Sequence, residues 1–487
     1  MTAADRLGAI RAGDIFAAGR LDEAGAEAAV EVIQQAEAEG VETIRVLFPD
    51  QHGLLRGKTV TVAALQSVFT GGIGVPSSLL LKDTSHRTVF PIWTPDADPA
   101  TAPFRGGSDA MLAPDPSTFR ILPWSPHSAW LFCSASYRDW SPVPFDSRHV
   151  LASAEARLAE RDMSMLVGLE VEFHLYRLTD AKRAHADAIM PNTAVETERL
   201  AAGYQYLTEA VYAEMEPALD LVRRNAEALG LPVRSVEVEM GPGQVEVTFA
   251  PASPLKQADN MVMFRTMVKQ VCARAGLHAT FMPKPRVPNA ASTGWHVHQS
   301  LQDGEGRNLF TPGGDGAISD TASGWIAGLL AHAGESCLMT NPTLNGYKRF
   351  QPFQLAPNRV QWAEDNRGAM LRGLMRPGDP AARIENRAPE PSANPHYCIA
   401  SQILGGLAGL DSGAKAPPPA TDPYDTSAPP LPRSLLEAIE AFEGGSLYRE
   451  ALGDGFADYL GRLKRCEWDR YLATISEWEQ QEYFNLF

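Results

Sequence analysis

Two glutamates in one short segment have the spacing of a metal site. The segment Gly168-Leu-Glu170-Val-Glu172-Phe173 places its acidic residues two positions apart. Side chains two apart on a β-strand project from the same face, so both carboxylates would point the same way. Adjacent carboxylates repel one another unless a cation lies between them. The pair therefore indicates a metal site. If this motif stood alone, an exposed strand face would be the alternative interpretation.

A second segment places glutamates on both sides of a Gly-Pro-Gly turn. Glu239 precedes the turn and Glu246 follows it, seven residues later. In an unbroken strand these two would lie on opposite faces, whereas the turn can bring both carboxylates into one cleft. Taken alone, the segment is either an acidic turn or a pair of metal ligands. Glu237, which shares a strand face with Glu239, is a further candidate ligand.

A third segment carries two histidines two residues apart. In Gly294-Trp-His296-Val-His298-Gln-Ser300, both imidazoles would lie on one strand face beside a glycine-containing turn. A lone buried histidine is more often a core residue, but this pair suits a metal or phosphate site. Mainly oxygen ligands with one histidine favour Mg²⁺ or Mn²⁺ over zinc. The five cysteines are scattered and have no zinc-site spacing.

Arginines cluster in the C-terminal third of the chain. Arg383, Glu385 and Arg387 alternate, so they would project from one strand face. A surface salt-bridge ladder is the alternative, and it would contribute little to stability. Because arginine matches the geometry of phosphate and carboxylate groups, the cluster indicates a clamp for such groups. The other members of the cluster are Arg349, Arg367 and Arg372.

The elements that must position these residues follow from the hydrophobic pattern. A helix is predicted over 30–38 and its flanks, ending near Gly40, and a strand over 43–48. Residues 104–124 are interrupted by glycine and proline, which predicts the strands and turns of a small β-rich domain. A boundary is placed after Pro142–Pro144, where the sequence becomes helical. Further helical stretches are predicted over 150–162, 209–230, 258–276, 325–339 and 435–471, with a proline-rich loop over 412–432.

Composition narrows the class of protein. The chain has 487 residues, 44% of them hydrophobic, and a formal net charge of −16. Nucleic acid is not a predicted partner, since phosphate backbones are bound by basic surfaces. No apolar run approaches the ~18 residues of a membrane helix, and the first twenty residues lack the apolar region of a secretory signal. Scattered, odd-numbered cysteines fit a reducing compartment. We therefore expect a cytoplasmic enzyme with no membrane partner.

Taken in order, six blocks resemble the glutamine synthetase family. They are GLEVEF, EMGPGQVE, FMPKPR with HVHQS, NGYKR, DNRGAMLR and RIENR, and FPDQHG, RGK and PDPSTFRILPW are similar to that family's N-terminal domain. The resemblance implies an α+β fold, with a small β-grasp-like domain and a large catalytic domain whose curved antiparallel sheet is flanked by helices. The expected divisions are an N-terminal extension over 1–28, the β-grasp-like domain over 29–143 and the catalytic domain over 144–487. A ring-shaped homo-oligomer, a dodecamer or some other ring multiple, with active sites between subunits, is also implied.

The resemblance also implies a role for each candidate site residue. One metal ion would be held by Glu172, Glu239 and Glu246, and another by Glu170, His296 and Glu385. The glutamate substrate would be bound by Arg349, Arg387 and Gly294. ATP and its phosphates would be contacted by His298, Ser300, Arg367, Arg372 and Arg383, with Arg367 and Glu385 also catalytic. Asp50 would reach into the neighbouring subunit's site, where it would help to bind and deprotonate ammonium.

The implied reaction uses ATP and two or more Mg²⁺ or Mn²⁺ ions. The γ-carboxylate of glutamate attacks ATP to give an acyl phosphate, and the metal ions neutralise charge on the transferred phosphoryl group. An amine then displaces phosphate to form an amide. Water must be excluded while the acyl phosphate exists, because it would otherwise hydrolyse.

Two departures from the family pattern concern the substrates. Leu355 aligns with a glutamate that closes the site and takes a proton from ammonium in ammonia-using members. Ala291 and Ser292 stand where an Asn-Gly pair usually contacts the amino-acid substrate. Because leucine accepts no proton, we expect a non-ammonia amine, an arylamine such as aniline or else a bulky alkyl amine. The expected amine pocket consists of Leu355, Phe353 and Trp295, although aromatic residues are more often core.

Two other functions remain open from the sequence. A glutamine synthetase that uses ammonia is favoured by the retained Asp50, which could still serve a protonated amine. A non-catalytic, structural relative of the family is the second alternative. Loss of metal ligands would be its signature, and here every ligand position carries the expected residue type.

Overall fold

The N-terminal part of the chain is a small sheet covered by helices. The computed structural model describes residues 1–94, 100–180, 184–314, 316–352 and 355–487, so Phe353 lies outside the described residues. The strand order is β2-β1-β6-β4-β3, with β5 paired to β6, and β1 runs parallel to β6, as in a β-grasp arrangement. The strands are β1 (Thr43–Pro49), β2 (Leu55–Thr61), β3 (Ile73–Pro76), β4 (Asp109–Pro114), β5 (Arg120–Leu122) and β6 (Ser125–Ser136). The helices are α1 (Ala3–Arg11), α2 (Asp14–Ala17), α3 (Glu23–Ala38) and α4 (Leu65–Gly71).

Helix α3 shows why this part folds as predicted. Asp22 caps its N-terminus by accepting a hydrogen bond from the Gly25 amide at 2.8 Å. Its buried residues recur at helical spacing, and the chain leaves the helix at Gly40, whose φ is +67°. The predicted helix and strand correspond to α3 and β1. The expected division at residue 28 falls inside α3, and Ile10 and Ile15 of the preceding helices are fully buried.

A larger sheet follows, with its long strand β7 near the centre. The order is β13-β14-β15-β12-β7-β10-β9, and β8 and β11 also pair with β7. All neighbours are antiparallel except β13 and β14. The strands are β7 (Met163–Asp180), β8 (Glu196–Arg199), β9 (Val233–Val238), β10 (Gln244–Ala252), β11 (Leu277–Thr280), β12 (Trp295–Asp303), β13 (Trp362–Glu364), β14 (Leu371–Leu374) and β15 (Arg383–Asn386).

Burial alternates along β7, which gives the sheet two different faces. Val167, Leu169 and Val171 are buried in the apolar core, while the residues between them face the other way. The helices after the small sheet are α5 (Ser147–Ala159), α6 (Glu209–Ala228), α7 (Pro254–Arg274), α8 (Asp320–Ala331), α9 (Ala333–Thr340), α10 (Pro395–Ser412), α11 (Leu435–Gly444), α12 (Leu447–Leu452), α13 (Asp454–Leu472) and α14 (Glu477–Tyr483). Helices α5, α6 and α7 contact strands of the large sheet, and α10 packs on α5 and α7.

Two predicted helices are interrupted in the structure. The stretch over 325–339 is divided at His332 into α8 and α9, and the stretch over 435–471 is divided at Gly445 and Gly453 into α11, α12 and α13. Gly453 has a φ of +84°, which ends one helix and starts the next. Residues 413–434 contain no helix or strand, in agreement with the predicted proline-rich loop. Across the described ranges, no helix is long and apolar enough to span a membrane.

Candidate active site

Neighbouring strands of the large sheet present the predicted metal ligands on one face. Glu170 and Glu172 lie on β7, His296 on β12 is paired with Glu170, and Glu246 on β10 is paired with Glu172. Because cross-strand partners share a face, the four side chains form one cluster. The predicted pairing of two carboxylates on one strand face is confirmed.

The histidines lie between the carboxylates. His298 Nε2 is 2.8 Å from Glu170 Oε1, and His296 Nδ1 is 3.0 Å from Glu170 Oε2 and 3.7 Å from Glu385 Oε1. Two groups of three potential ligands, each with its ligand atoms within 4.8 Å of one another, occur among the described residues. One contains Glu170, Glu246 and His296, and the other contains Glu170, His298 and Glu385. Glu170 belongs to both groups, so the cluster offers two adjacent metal positions.

This grouping differs in part from the expected division of ligands. His298, expected on the nucleotide side, lies in the second group, while Glu172 and Glu239 lie in neither. Glu172 is held by other contacts, since its Oε2 accepts hydrogen bonds from Gln244 Nε2 and the Gly294 amide, both at 2.9 Å. The expected assignment of Glu172, Glu239 and Glu246 to one ion therefore stays a prediction.

The Gly-Pro-Gly turn brings its two glutamates to the same cleft. The Glu239 amide donates to the Gln244 carbonyl oxygen at 2.9 Å, which closes the turn between β9 and β10. Burial, followed by the negative charge of Glu172, raises the pKa of Glu239 to about 8. The same two causes raise the pKa of Glu246 to about 10. Glu237 is paired with Glu246, and its Oε1 accepts a hydrogen bond from Ser235 Oγ at 2.8 Å.

Two other carboxylates of the cluster are held in the ionised form. Burial would raise the pKa of Glu170, but hydrogen bonds with His296 and His298 outweigh burial and hold its pKa below the ordinary range. Glu385 is fully buried, yet the charge of Arg387 keeps the pKa of Glu385 below its ordinary value. The cluster thus combines ionised carboxylates with protonated ones, an arrangement that a divalent cation would convert to the fully ionised form.

Glycine at position 294 leaves room for two site residues that approach its backbone. A Cβ atom there would lie 2.9 Å from His296 Nε2 and 3.1 Å from Arg349 Nη2. Its amide also fixes Glu172, as described above. This position therefore joins the metal cluster to the arginine cluster.

The arginines surround the carboxylate cluster. Arg372 donates from Nη1 to Glu385 Oε2 at 3.0 Å and from Nε to Asp365 Oδ1 at 3.0 Å. Arg387 forms an ion pair with Glu385 and donates from Nε to the Arg367 carbonyl oxygen at 2.9 Å. On the other side, Arg383 Nε lies 3.1 Å from His298 Nδ1. The arginines form no surface ladder, because most of their ion pairs involve the buried Glu385.

A cleft of about 740 Å³ opens beside the cluster. His298, Ser300 and Arg383, the predicted nucleotide contacts, line it together with Glu170. Arg234 and Phe249 also line this cleft and were missed by the sequence reasoning. In the sequence, the only indication that they belong to the site was their position on the two strands that flank the Gly-Pro-Gly turn.

A tyrosine within electrostatic range of the cluster was also missed. Burial, then the charges of Glu239 and Glu246, raises the pKa of Tyr206. The adjoining Tyr204 fastens this segment to the hairpin, since its amide donates to the Met240 carbonyl oxygen at 2.6 Å. Tyr206 is 51% exposed and Met240 39%. The only indication of this segment in the sequence was the pair of tyrosines in GYQYL, which lie in a loop without a periodic pattern.

Three predicted site residues do not join the cluster. Asp50 is fully buried, and its carboxylate accepts hydrogen bonds from the amides of His52 and Leu54 and, at 2.6 Å, from Arg56 Nε. Within this chain Asp50 faces the interior and fixes the turn after β1. The prediction that Trp295 lines an amine pocket is wrong, because strand alternation turns this residue to the opposite face from His296, into the core. Leu355 is 48% exposed in a loop, with a φ of +57°.

The chain is similar to known proteins over most of its length. The family model described as glutamine synthetase, catalytic domain, matches residues 144–483. A γ-glutamylanilide synthase from Acinetobacter sp is 36% identical over 481 residues, which cover 94% of this chain and 96% of the relative. A glutamine synthetase from Mycolicibacterium smegmatis is 32% identical over 475 residues, which cover 93% and 98%.

Two further similarities extend the comparison. A γ-glutamylethanolamide synthetase from Streptomyces coelicolor is 31% identical over 448 residues, which cover 91% of this chain and 93% of the relative. A solved structure described as a GmaS/ADP complex matches with a TM-score of 0.78 at 27% identity and covers 93% of this chain and 99% of that chain.

Proposed function

The chain belongs to the glutamine synthetase family and is an ATP-dependent carboxylate–amine ligase, and we propose that it joins the γ-carboxylate of glutamate to an arylamine. The observation that carries the ligase reaction is the carboxylate and histidine cluster with arginines on both sides and the cleft beside it, while the choice of amine rests on Leu355 and on the relative named for a γ-glutamyl anilide. Members of this family use ATP and divalent metal ions, and the oxygen-rich ligand set fits Mg²⁺ or Mn²⁺.

The metal ions would be held by the six predicted ligands, Glu170, Glu172, Glu239, Glu246, His296 and Glu385. When bound, they would neutralise the charge of the ATP phosphates. His298, which bonds to Glu170, is an additional candidate ligand in this proposal. The donor set contains no cysteine, which argues against zinc as the resident ion.

The arginines would bind and orient the two substrates. Arg383, with His298 and Ser300, lines the cleft where ATP would lie, and Arg367 and Arg372 would bind its phosphates. Arg349 and Arg387 would bind the carboxylates of glutamate. Glutamate's γ-carboxylate oxygen then attacks the γ-phosphorus as the bond to ADP breaks. Positive charge around the phosphoryl group would stabilise this step, and the buried Arg372, already held by Glu385 and Asp365, would need little reorganisation.

Two features support an arylamine as the second substrate. Leu355 offers no proton acceptor at the position where ammonia-using relatives need one, and an arylamine is already neutral at pH 7. Tyr206 is exposed and within electrostatic range of Glu239 and Glu246, so its ring could stack on an aromatic amine. The relative with 36% identity, which is named for a γ-glutamyl anilide, supports the same choice. Attack of the amine nitrogen on the acyl carbon would form the amide bond and break the bond to phosphate, and the departing phosphate would take up the N–H proton.

An amine panel tests this proposal. Phosphate release would be measured with ATP, glutamate and Mg²⁺ in the presence of aniline, ethanolamine or ammonium. We expect the largest kcat/KM with aniline. Faster turnover with ammonium than with any other amine would make the protein a glutamine synthetase instead. If no amine accelerates phosphate release, the protein would be a non-catalytic relative. A Glu385→Gln variant serves as the inactive control for every amine.

We also propose that the chain assembles into a ring-shaped homo-oligomer, a dodecamer, with active sites between subunits. An apolar, exposed C-terminal segment that includes Ile475, Trp478, Phe484 and Phe487 supports burial against another subunit. Multi-angle light scattering would measure the assembly size, and a monomer at assay concentration would contradict the proposal. Asp50 could act in a neighbouring site only after leaving the hydrogen bonds described above. The domain boundaries and the cytoplasmic location stay predictions.

A further inference from the structure

Two asparagines tie backbone segments together at opposite ends of the candidate site. Asn345 directly precedes the 3-10 turn Gly346–Arg349, and Asn308 lies in the connection after β12. Both residues are half-buried, and the proposed chemistry uses neither. Each bonds through its side-chain amide to the main chain of a segment more than sixty residues away. The two segments that they hold border different substrates.

The side-chain amide of Asn345 pairs with both backbone groups of one residue. Its Oδ1 accepts a hydrogen bond from the Lys284 amide at 2.6 Å, and its Nδ2 donates to the Lys284 carbonyl oxygen at 3.1 Å. Because the two bonds come from one planar group on a short side chain, they fix both the distance and the direction between the segments. Asparagine at the start of a helical turn commonly caps that turn. Here its side chain joins two segments instead.

The connection continues from Lys284 to Gly294. The carbonyl oxygen of the preceding residue, Pro283, accepts hydrogen bonds from the Thr293 amide at 2.9 Å and from Thr293 Oγ1 at 3.2 Å. Thr293 is fully buried and directly precedes Gly294. Hydrogen bonds and single covalent steps therefore join the turn that carries Arg349 to Gly294.

This path sets the separation between Arg349 and Gly294. A Cβ atom at position 294 would lie 3.1 Å from Arg349 Nη2, so the two residues border the same small space. The other terminal nitrogen of Arg349, Nη1, donates to Asn341 Oδ1 at 3.2 Å and to the Ala388 carbonyl oxygen at 2.9 Å. A shift of the turn over 346–349 relative to Gly294 would therefore change the width of the space on the Nη2 side.

Asn308 makes the corresponding tether on the nucleotide side. Its Nδ2 donates to the carbonyl oxygens of Pro380 at 2.9 Å and Ala382 at 2.8 Å. Its Oδ1 accepts a hydrogen bond from the Phe310 amide at 2.9 Å. Pro380 lines the cleft of about 740 Å³, and Ala382 directly precedes Arg383, which also lines it. Asn308 therefore holds the edge of the cleft where ATP would lie.

We propose that Asn345 is a positioning residue for the carboxylate substrate, which acts by fixing the separation between Arg349 and Gly294. This inference rests on the proposed role of these two residues in binding glutamate. Asn345 acts through them and not by touching the substrate. Loss of its two hydrogen bonds should therefore weaken glutamate binding and leave the ATP cleft, which the Asn308 tether holds, unchanged.

A pair of alanine variants tests this proposal. Asn345→Ala should raise the KM for glutamate about tenfold, equivalent to about 1.4 kcal/mol, as expected for the loss of two hydrogen bonds. Its KM for ATP and its kcat should each stay within about twofold of the wild-type values, since the variant changes substrate binding and not the chemical step. Asn308→Ala is the matched control, because it also removes a half-buried amide that bonds to the main chain. Its KM for ATP should rise about tenfold, while its KM for glutamate stays within about twofold.

A merely structural role would not separate the two substrates. The proposal is overturned if Asn345→Ala lowers the melting temperature and leaves the glutamate KM unchanged, or if it raises the KM values for ATP and glutamate equally. Should Asn345→Ala not fold, Asn345→Asp replaces it, since the aspartate keeps the acceptor for the Lys284 amide and loses the donor to the Lys284 carbonyl oxygen. Its glutamate KM should rise at least about threefold, and an unchanged value overturns the proposal.

Amide hydrogen exchange separates this inference from the proposed function, because it needs no substrate. In Asn345→Ala the Lys284 amide should exchange faster than in the wild type, whereas the Phe310 amide, which bonds to Asn308, should not. Exchange of the Lys284 amide at the wild-type rate would overturn the tether itself. If the wild type uses another carboxylate in place of glutamate, the proposed function fails, and the KM for that carboxylate then tests Asn345 in the same way.

Discussion

Metal binding should release protons, because two proposed ligands are protonated in the free protein. The pKa of Glu239 is raised to about 8 and that of Glu246 to about 10, first by burial and then by the charge of Glu172. A carboxylate must be ionised to bind a cation, so each of these groups gives up its proton on binding. At pH 7 both pKa values exceed the pH, and binding of Mn²⁺ should therefore release about two protons.

The same reasoning gives the sign of the pH dependence. As the pH rises towards 8, protons compete less with the metal ion, so the apparent affinity increases. For two released protons the increase is up to about 100-fold per pH unit, and it becomes smaller once Glu239 ionises in the free protein. The trend should end near pH 10, above which neither group holds a proton.

Isothermal titration calorimetry at pH 7 measures the proton count directly. The observed enthalpy of Mn²⁺ binding is plotted against the ionisation enthalpy of several buffers, and the slope is the number of protons exchanged. Glu246→Gln should lower this number by about one. Glu31→Gln, at an exposed position of α3 in the N-terminal part, is the control and should leave the count at the wild-type value. A slope near zero with normal Mn²⁺ binding would refute the reasoning.

Four further predictions concern stability and the substrates. Without metal, the melting temperature should fall as the pH rises from 6 to 9. The pKa values of Glu239 and Glu246 in the folded protein exceed the unfolded value of about 4.3, so the stability that their protonated forms contribute is lost as the pH rises towards those values. Thermal melts with and without Mn²⁺ check this prediction, and Mn²⁺ should remove the trend. Gly294→Ala places a Cβ against His296 and Arg349 and should lower kcat/KM at least about tenfold, whereas Gly314→Ala, with open space around it, should have no effect. Tyr206→Ala should raise the KM for aniline about fivefold to tenfold through loss of stacking, with Tyr206→Phe unchanged and the KM for ATP as the internal control. Leu355→Glu should shift the ratio of kcat/KM values for ammonium and aniline towards ammonium by about tenfold or more, the effect of adding a positioned base, and Leu355→Gln should not.

The metal ligands could be predicted because their pattern is local. The two-residue spacing of Glu170 and Glu172, and of His296 and His298, sets their strand face without knowledge of the fold. The pairing of β7 with β10 and β12 is different, since it joins segments more than seventy residues apart. Hydrophobic pattern alone gives no such register. That part of the prediction came from the family resemblance.

The errors and omissions also have physical causes. Trp295 was assigned to the amine pocket and its neighbour His296 to the metal site. Because successive side chains of a strand point to opposite faces, the two residues cannot face the same site. The burial of Asp50 depends on contacts with Arg56 and on the surrounding packing, which no local pattern shows. Tyr206 was missed because its loop follows no period. The break falls at His332 itself, and Gly334, two residues later, lies inside α9, so the pattern over 325–339 reads as one helix.

The residues proposed for the two halves of the reaction lie on different kinds of secondary structure. The groups that would activate the carboxylate lie mainly on β7, β10, β12 and β15, where a shift of one residue would turn every side chain to the wrong face. Tyr206 and Leu355 lie on connections between elements, where insertions and substitutions are best tolerated. Evolution can therefore change the amine by remodelling two loops while the sheet stays untouched. For protein engineering, a loop library around Tyr206 and Leu355 offers a route to new amides that leaves phosphoryl transfer intact.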